Sequence, residues 1–301
     1  MRIALQLFEL AARARGLSFS SLALLLLAPL LAGAAEHHSL WSVQGSHNTV
    51  YLLGSVHLLK ADEPLPAVMD DAYQKSKALV MEIDMDDIDP LEAQSTTLSL
   101  GMLPDDTTLQ DEIGPQAFSE LSTYAQHLGM DPAMFAHFRP WLVAITLEQY
   151  QLMKLGLNPE TGVEQRFTAR AIADHKEIRG LETLSEQLGY FASLSQEQET
   201  KYLLYTIEDA ERTEQEFDQL LTAWRTGDTD RLAHTLDDGF HDFPELFKRL
   251  TVDRNRRWLG TMETLLHDNQ NYLVIVGAFH LVGRDGLIDL LEHRGYRVTQ
   301  Q

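Results

Sequence analysis

Apolar residues fall along this chain in two rhythms: short unbroken runs near both ends, and a spacing of three or four through the middle. The first run, Thr49 to Leu53, reads as a strand. Pro64 and Pro66 then punctuate a loop, and Ala67 to Lys77 has helical spacing, with Val68, Ala72 and Tyr73 along one side. Ala78-Leu79-Val80-Met81 predicts a second strand, ending in Glu82. Near the other end the plan recurs. Tyr272 to Val276 is a strand, Gly283 and Asp285 open a helix at Gly286 to His293, Gly295 stops it, and Tyr296-Arg297-Val298 returns as a strand. Unbroken apolar strands joined through a helix fit parallel pairing with both faces covered.

Between the two ends, roughly 90 to 267, the pattern is helical. Ser195-Gln196-Glu197-Gln198 has the form of a capping box, and Tyr202, Leu203, Ile207, Ala210, Phe217, Leu220, Leu221 and Trp224 keep helical spacing behind it. Gly227-Asp228 closes that segment and Thr229 to Leu236 begins another. Pro244 starts a long helix running to His267. The fold expected is α/β: duplicated βαβ-like halves forming a mixed sheet, with a large helical insertion between them, in a single domain over 35–301.

Residues 1–34 are read apart from that domain. Arg2, Arg13 and Arg15 precede an apolar stretch, Leu22 to Leu31, and Ala32-Gly33-Ala34 fits a small-residue cleavage site. The expectation is a signal peptide, an exported protein that is periplasmic or secreted, and no stable membrane span after cleavage. Cysteine is absent, which removes disulfides, thiol chemistry and a lipid-attachment cysteine. The net charge of −21 excludes a sequence-independent nucleic-acid or anionic-lipid binder, since those surfaces must be basic.

Candidate chemistry sits where the apolar runs stop. Gly54-Ser55-Val56-His57-Leu58 and Gly277-Ala278-Phe279-His280-Leu281 both place Gly-x-x-His-Leu after a strand. Open α/β sheets carry their sites at the carboxyl ends of strands, so His57, Glu82 and His280 are expected to converge there. Two imidazoles and a carboxylate suit a divalent metal ion and leave positions for water. Ordinary surface or packing histidines are the competing reading. No Gly-x-Ser-x-Gly elbow supports a serine hydrolase, although ester hydrolysis by a histidine base without metal stays open. Asp84, Asp86, Asp87 and Asp89 read as a solvated loop, with an accessory metal ligand as the alternative.

These motifs, with Val80-Met81-Glu82 and the ending Val276 to Leu287, resemble the TraB/GumN group, which includes Tiki-type metalloproteases. Softer matches are Arg139-Pro140-Trp141, Gly162-Val163-Glu164, Gly180-Leu181-Glu182-Thr183 with Glu186-Gln187, and Arg254-Asn255 before Trp258. The resemblance implies a divalent-metal-dependent hydrolase (Mn, Co or Zn) that cleaves peptide or small amide substrates. It implies His57, Glu82 and His280 as the metal set. Glu164 is then the candidate general base, and Arg254 and Arg139 candidates for stabilising an oxyanion or binding a substrate carboxylate. The alternative on the same scaffold is a non-catalytic protein that binds and sequesters a peptide or other ligand. Phe279 departs from the family, many members of which have glycine before the second histidine.

Overall fold

The computed structural model describes residues 37–301, so the leader expected at 1–34 lies outside the described residues. Six strands form one mixed sheet: β1 (Leu40–Gln44), β2 (Thr49–Ser55), β3 (Ala78–Ile83), β4 (Glu177–Glu182), β5 (Tyr272–Gly277) and β6 (Val298–Gln300). Their order is β4-β3-β5-β2-β1-β6. The pairs β2–β5, β3–β5 and β3–β4 are parallel, whereas β1 runs antiparallel to both β2 and β6.

Strand β5 occupies the centre because its apolar run is the most complete. Tyr272, Leu273, Val274, Ile275 and Val276 are all fully buried. The two sequence halves therefore interleave. The strands that lead to His57 and Glu82 are not neighbours; β5, from the far end of the chain, lies between them. Its register sets Ser55 opposite Gly277 and Met81 opposite Ile275, which brings three strand ends to one edge.

Two strands have no counterpart among the expected elements. Strand β1 is a hairpin partner of β2, and β6 pairs with β1 at the sheet's edge rather than beside β5. Strand β4, Glu-Ile-Arg-Gly-Leu-Glu, arises inside the helical segment and extends the other edge. It has few apolar positions because an edge strand keeps one side open to water.

The helical middle packs a core of its own around Leu109, Leu121, Phe135, Val143, Leu147 and Leu203. The Ser195 capping box closes as expected, with Ser195 N–H donating to Gln198 Oε1 at 3.0 Å and Gln198 N–H to Ser195 Oγ at 3.3 Å. The helix starting at Pro244 runs to Leu266, but residues Lys248–Val252 form a π turn before the α-helix Asp253–Leu266. A π turn inserts an extra residue, so it re-aims the side chains that follow. Those side chains include Arg254, Asn255 and Trp258.

Candidate active site at the strand ends

Both Gly-x-x-His turns are shaped by close backbone approach. A Cβ on Gly54 would lie 3.1 Å from Ala278 Cα, so glycine lets the two motif segments touch. The carbonyl of Gly54 accepts a 2.7 Å hydrogen bond from the Trp224 indole, which ties the first turn to the helix Thr213–Thr226. Gly162 repeats the device from a third direction. Its Cβ would fall 2.1 Å from the His57 carbonyl oxygen, and the next N–H, of Val163, donates to Val56 O at 3.1 Å. The helix Val163–Ala173 thus begins against the turn that carries His57, with Glu164 in its first turn.

Glu164 Oε1 lies 2.7 Å from His57 Nδ1 and also accepts from Ser55 Oγ. The carboxylate fixes the ring through Nδ1 and leaves Nε2 directed elsewhere. That charge raises His57 to about 9, against the opposite pull of lost hydration. The His57 side chain remains 65% exposed, so the ring stays open to an incoming molecule.

His280 is its inverse. It is buried, its ring lies 4.6 Å from that of Trp258, and its Nδ1 is 2.7 Å from Asn255 Oδ1. The Asn255 amide nitrogen donates to His280 O at 3.2 Å and to Asp285 O at 2.9 Å, so its oxygen is the acceptor. Nδ1 therefore carries the proton and Nε2 the lone pair. Burial lowers His280 to about 4; Arg254 and His57 push it the same way, and Glu82 opposes them.

Between the histidines sits Glu82. Its Oε1 accepts from the Gly277 N–H at 2.7 Å and lies 3.8 Å from His280 Nε2. Its Oε2 accepts from the guanidinium of Arg254 and, at 3.1 Å, from Gln187. Burial alone would raise this carboxyl, but the cationic neighbours His280, Arg254 and His57 together with the Gly277 N–H hold it down to about 2. Near neutral pH His280 is uncharged, so Arg254 and His57 supply the compensating charge there.

Arg254 is buried and spends all three nitrogens. It donates to Glu182 at 2.6 and 3.2 Å, to Leu250 O at 3.0 Å and to His280 Nε2 at 3.0 Å, besides Glu82. Glu182 also accepts from Tyr190 at 3.2 Å, Gln187 at 3.4 Å and Arg257 at 3.4 Å. Burial pushes its pKa upward against the pull of Arg254.

Convergence is visible at Gly277. A Cβ there would lie 3.3 Å from Glu82 Oε1, 3.7 Å from His280 Cδ2 and 3.9 Å from His57 Nε2. The three strand-end residues and Arg254 thus meet around one point, with Glu164 behind His57. Arg139 stands apart. Its guanidinium pairs with buried Glu199 and donates to Leu100 O at 3.3 Å, inside the helical segment, because Glu199 needs a cation there. Asp89 caps the helix Pro90–Gly101 through the Leu91 and Glu92 N–H groups, and Asp86 and Asp87 are exposed. Phe279 is half-buried and packs on the main core.

Ser55, Glu182, Gln187, Tyr190, Asn255, Arg257 and Trp258 belong to the same constellation and were not among the expected site residues. Arg254, Asn255 and Trp258 had a legible signal, since Trp258 lies four residues after Arg254 and three after Asn255, the spacings that share a helix face. Glu182 lies in the Gly180-Leu181-Glu182-Thr183 match, but nothing local places it at the site, because the apolar pattern does not predict β4.

Donor chemistry and donor placement disagree over a metal. His57, Glu82 and His280 are suitable types, and each imidazole is anchored at Nδ1, as metal-bound histidines are. Arg254, however, already donates to His280 Nε2 and Glu82 Oε2, holding a positive charge where an ion would need those lone pairs. Among the described residues no group of three or more His, Asp or Glu is arranged to hold a metal ion. As arranged, these residues do not form a coordination shell.

The sequence model of the TraB/PrgY/gumN family matches residues 39–300. The uncharacterized protein YbaP of Escherichia coli (strain K12) is 26% identical over 242 residues, covering 80% of this chain and 87% of its own length. The uncharacterized protein YbaP of Shigella flexneri is 25% identical over the same extent. No solved structure matches the chain. With the match spanning nearly all described residues and both histidine motifs, the chain belongs to the TraB/PrgY/gumN family.

Proposed function

We propose that the strand-end cluster is the active site of a hydrolase for peptide or amide bonds, with the two motif histidines as its acid–base pair. One observation carries this reading: His57 and His280 face the same point at Gly277 from opposite environments. Groups whose surroundings push their proton affinities apart are suited to the two halves of proton transfer. As the carbonyl oxygen enters, Arg254 NH1 turns from His280 Nε2 to that oxygen, and the freed lone pair of neutral His280 takes the proton of the water that attacks the carbonyl carbon. Arg254 stabilises the oxyanion that develops. As the C–N bond breaks, protonated His57 gives its Nε2 proton to the leaving nitrogen, and the two histidines re-equilibrate with solvent. Glu164 acts through His57 by holding its orientation and charge. Glu82 balances Arg254 and His57. No step is routed through a metal, because the donors are not arranged as a shell.

The proposal extends to export, which rests on the pattern of residues 1–34. Among the described residues no helix is long and apolar enough to cross a membrane. The test is incubation of the purified protein with a peptide library and analysis of new termini. Cleavage that is lost in both His57→Ala and His280→Ala supports the hydrolase. Retained binding without new termini assigns the sequestering role instead.

A further inference from the structure

In a chain of net charge −21, Lys248, Arg249, Arg254, Arg256 and Arg257 stand close together, with Asp253 as the acidic residue among them. The π turn and the start of the following helix present this group beside the site. Most of its charges are spoken for. Lys248 pairs with Asp253 at 2.9 Å, Arg256 with Asp285 at 3.0 Å, and Arg254 is buried against Glu82 and Glu182.

Arg257 differs. Its side chain is 50% exposed, and among the described residues only its NH2 is engaged, by the Tyr190 hydroxyl and by Glu182 Oε2 at 3.4 Å. That oxygen is shared with Arg254 Nε at 3.2 Å and Tyr190 at 3.2 Å, so Glu182 cannot serve Arg257 as a dedicated counter-ion. The Tyr190 ring lies 5.2 Å from the Arg257 guanidinium carbon and 5.6 Å from that of Arg254, which holds both groups in one frame. On this half-exposed side chain Nε and NH1 have no partner among the described residues, and one Glu182 oxygen links the guanidinium to buried Arg254. Nε and NH1 lie on different edges of the guanidinium, so each offers a carboxylate oxygen one charge-assisted hydrogen bond.

We infer that Arg257, steadied by Tyr190, anchors a carboxylate of the substrate at the rim of the site. Arg257 NH2 and Arg254 Nε touch the same Glu182 oxygen at 3.4 and 3.2 Å, so these two nitrogens are ~7 Å apart at most, about two residues of extended chain. The substrate class is thus a peptide whose C-terminal carboxylate, or an acidic side chain, lies within about two residues of the bond at the centre. This deepens the hydrolase proposal and rests on that cluster being a substrate site.

The experiment uses three peptide libraries with the full protein: one with free C termini, one capped as C-terminal amides, and one amide-capped and lacking Asp and Glu. Binding is read by equilibrium dialysis and cleavage by new termini. The wild type is expected to favour carboxylate-bearing peptides by about tenfold over the fully neutral library. The first two libraries separate the C terminus from acidic side chains as the source. The preference is expected to vanish in Arg257→Gln, to survive in part in Arg257→Lys, and to weaken in Tyr190→Phe. An equal preference in wild type and Arg257→Gln, or none in the wild type, overturns the inference. Preferential binding without cleavage overturns only the hydrolase; cleavage without preference overturns only the anchor.

Discussion

Asn255 Oδ1 lies 2.7 Å from His280 Nδ1, while its amide nitrogen holds the carbonyls of His280 and Asp285. One fully buried side chain therefore decides which His280 nitrogen carries the proton. Asn255→Asp replaces the neutral acceptor by a carboxylate and is expected to raise His280 from about 4. Titration of the His280 ring by NMR checks this; an unmoved titration would show that Asn255 does not govern the ring. Asn255→Ala is expected to cost about 1–3 kcal/mol in urea unfolding, because buried polar groups lose their partners.

The same logic applies to the first histidine with the opposite sign. Glu164→Gln removes the charge that raises His57, so the His57 titration is expected to fall from about 9 toward its ordinary value. The alkaline limb of activity should move down with it. Ser55→Ala, which leaves the carboxylate in place, should shift that limb far less.

Stability should pass through a maximum near pH 6.5. His280 and Glu82 bind protons less readily in the folded chain than in the unfolded one. Their contributions are lost as pH falls, from about 6.5 to 4 for His280 and from about 4.5 to 2 for Glu82. His57 binds its proton more tightly when folded, so its contribution is lost as pH rises from 6.5 to about 9. Its exposure makes the alkaline slope the shallower one. Urea midpoints across pH 3–10, compared with His280→Phe, test the acid side.

Two glycine substitutions separate site from scaffold. Gly277→Ala places a methyl 3.3 Å from Glu82 Oε1 in the space between the histidines, at φ −49° and ψ 137°, which alanine accepts. Activity should fall by about tenfold or more with the melting temperature nearly kept, since misplaced catalytic groups are costly. Gly162→Ala drives a methyl to 2.1 Å from the His57 carbonyl and should lower the melting temperature itself.

Chelation discriminates the acid–base reading from metal dependence. With Arg254 on the lone pairs of His280 and Glu82, activity is expected to persist after exhaustive dialysis against EDTA. Loss of activity restored by Mn, Co or Zn would instead assign His57, Glu82 and His280 as ligands. His57→Ala and His280→Ala should each reduce turnover by about 10²–10⁴ in either case.

The local sequence determined the elements that announce themselves by unbroken apolar runs, by caps and by the Gly-x-x-His turns. Thr49–Ser55, Ala78–Ile83 and Tyr272–Gly277 are strands because each is an apolar run that must be covered on both faces. It also named the three residues that meet at Gly277, since strand ends converge in a parallel sheet. Tertiary structure alone decided that β5 separates β2 from β3, because which strand takes the centre depends on competition for burial among distant segments. It decided that Glu182 joins the site, since β4 is a polar edge strand that forms only when β3 offers its free side. It decided Arg254's place too, because a π turn sets which way that helix face points. The proton positions on His57 and His280 follow from partners 107 and 25 residues away, Glu164 and Asn255. No local pattern encodes a contact that exists only once the chain has folded.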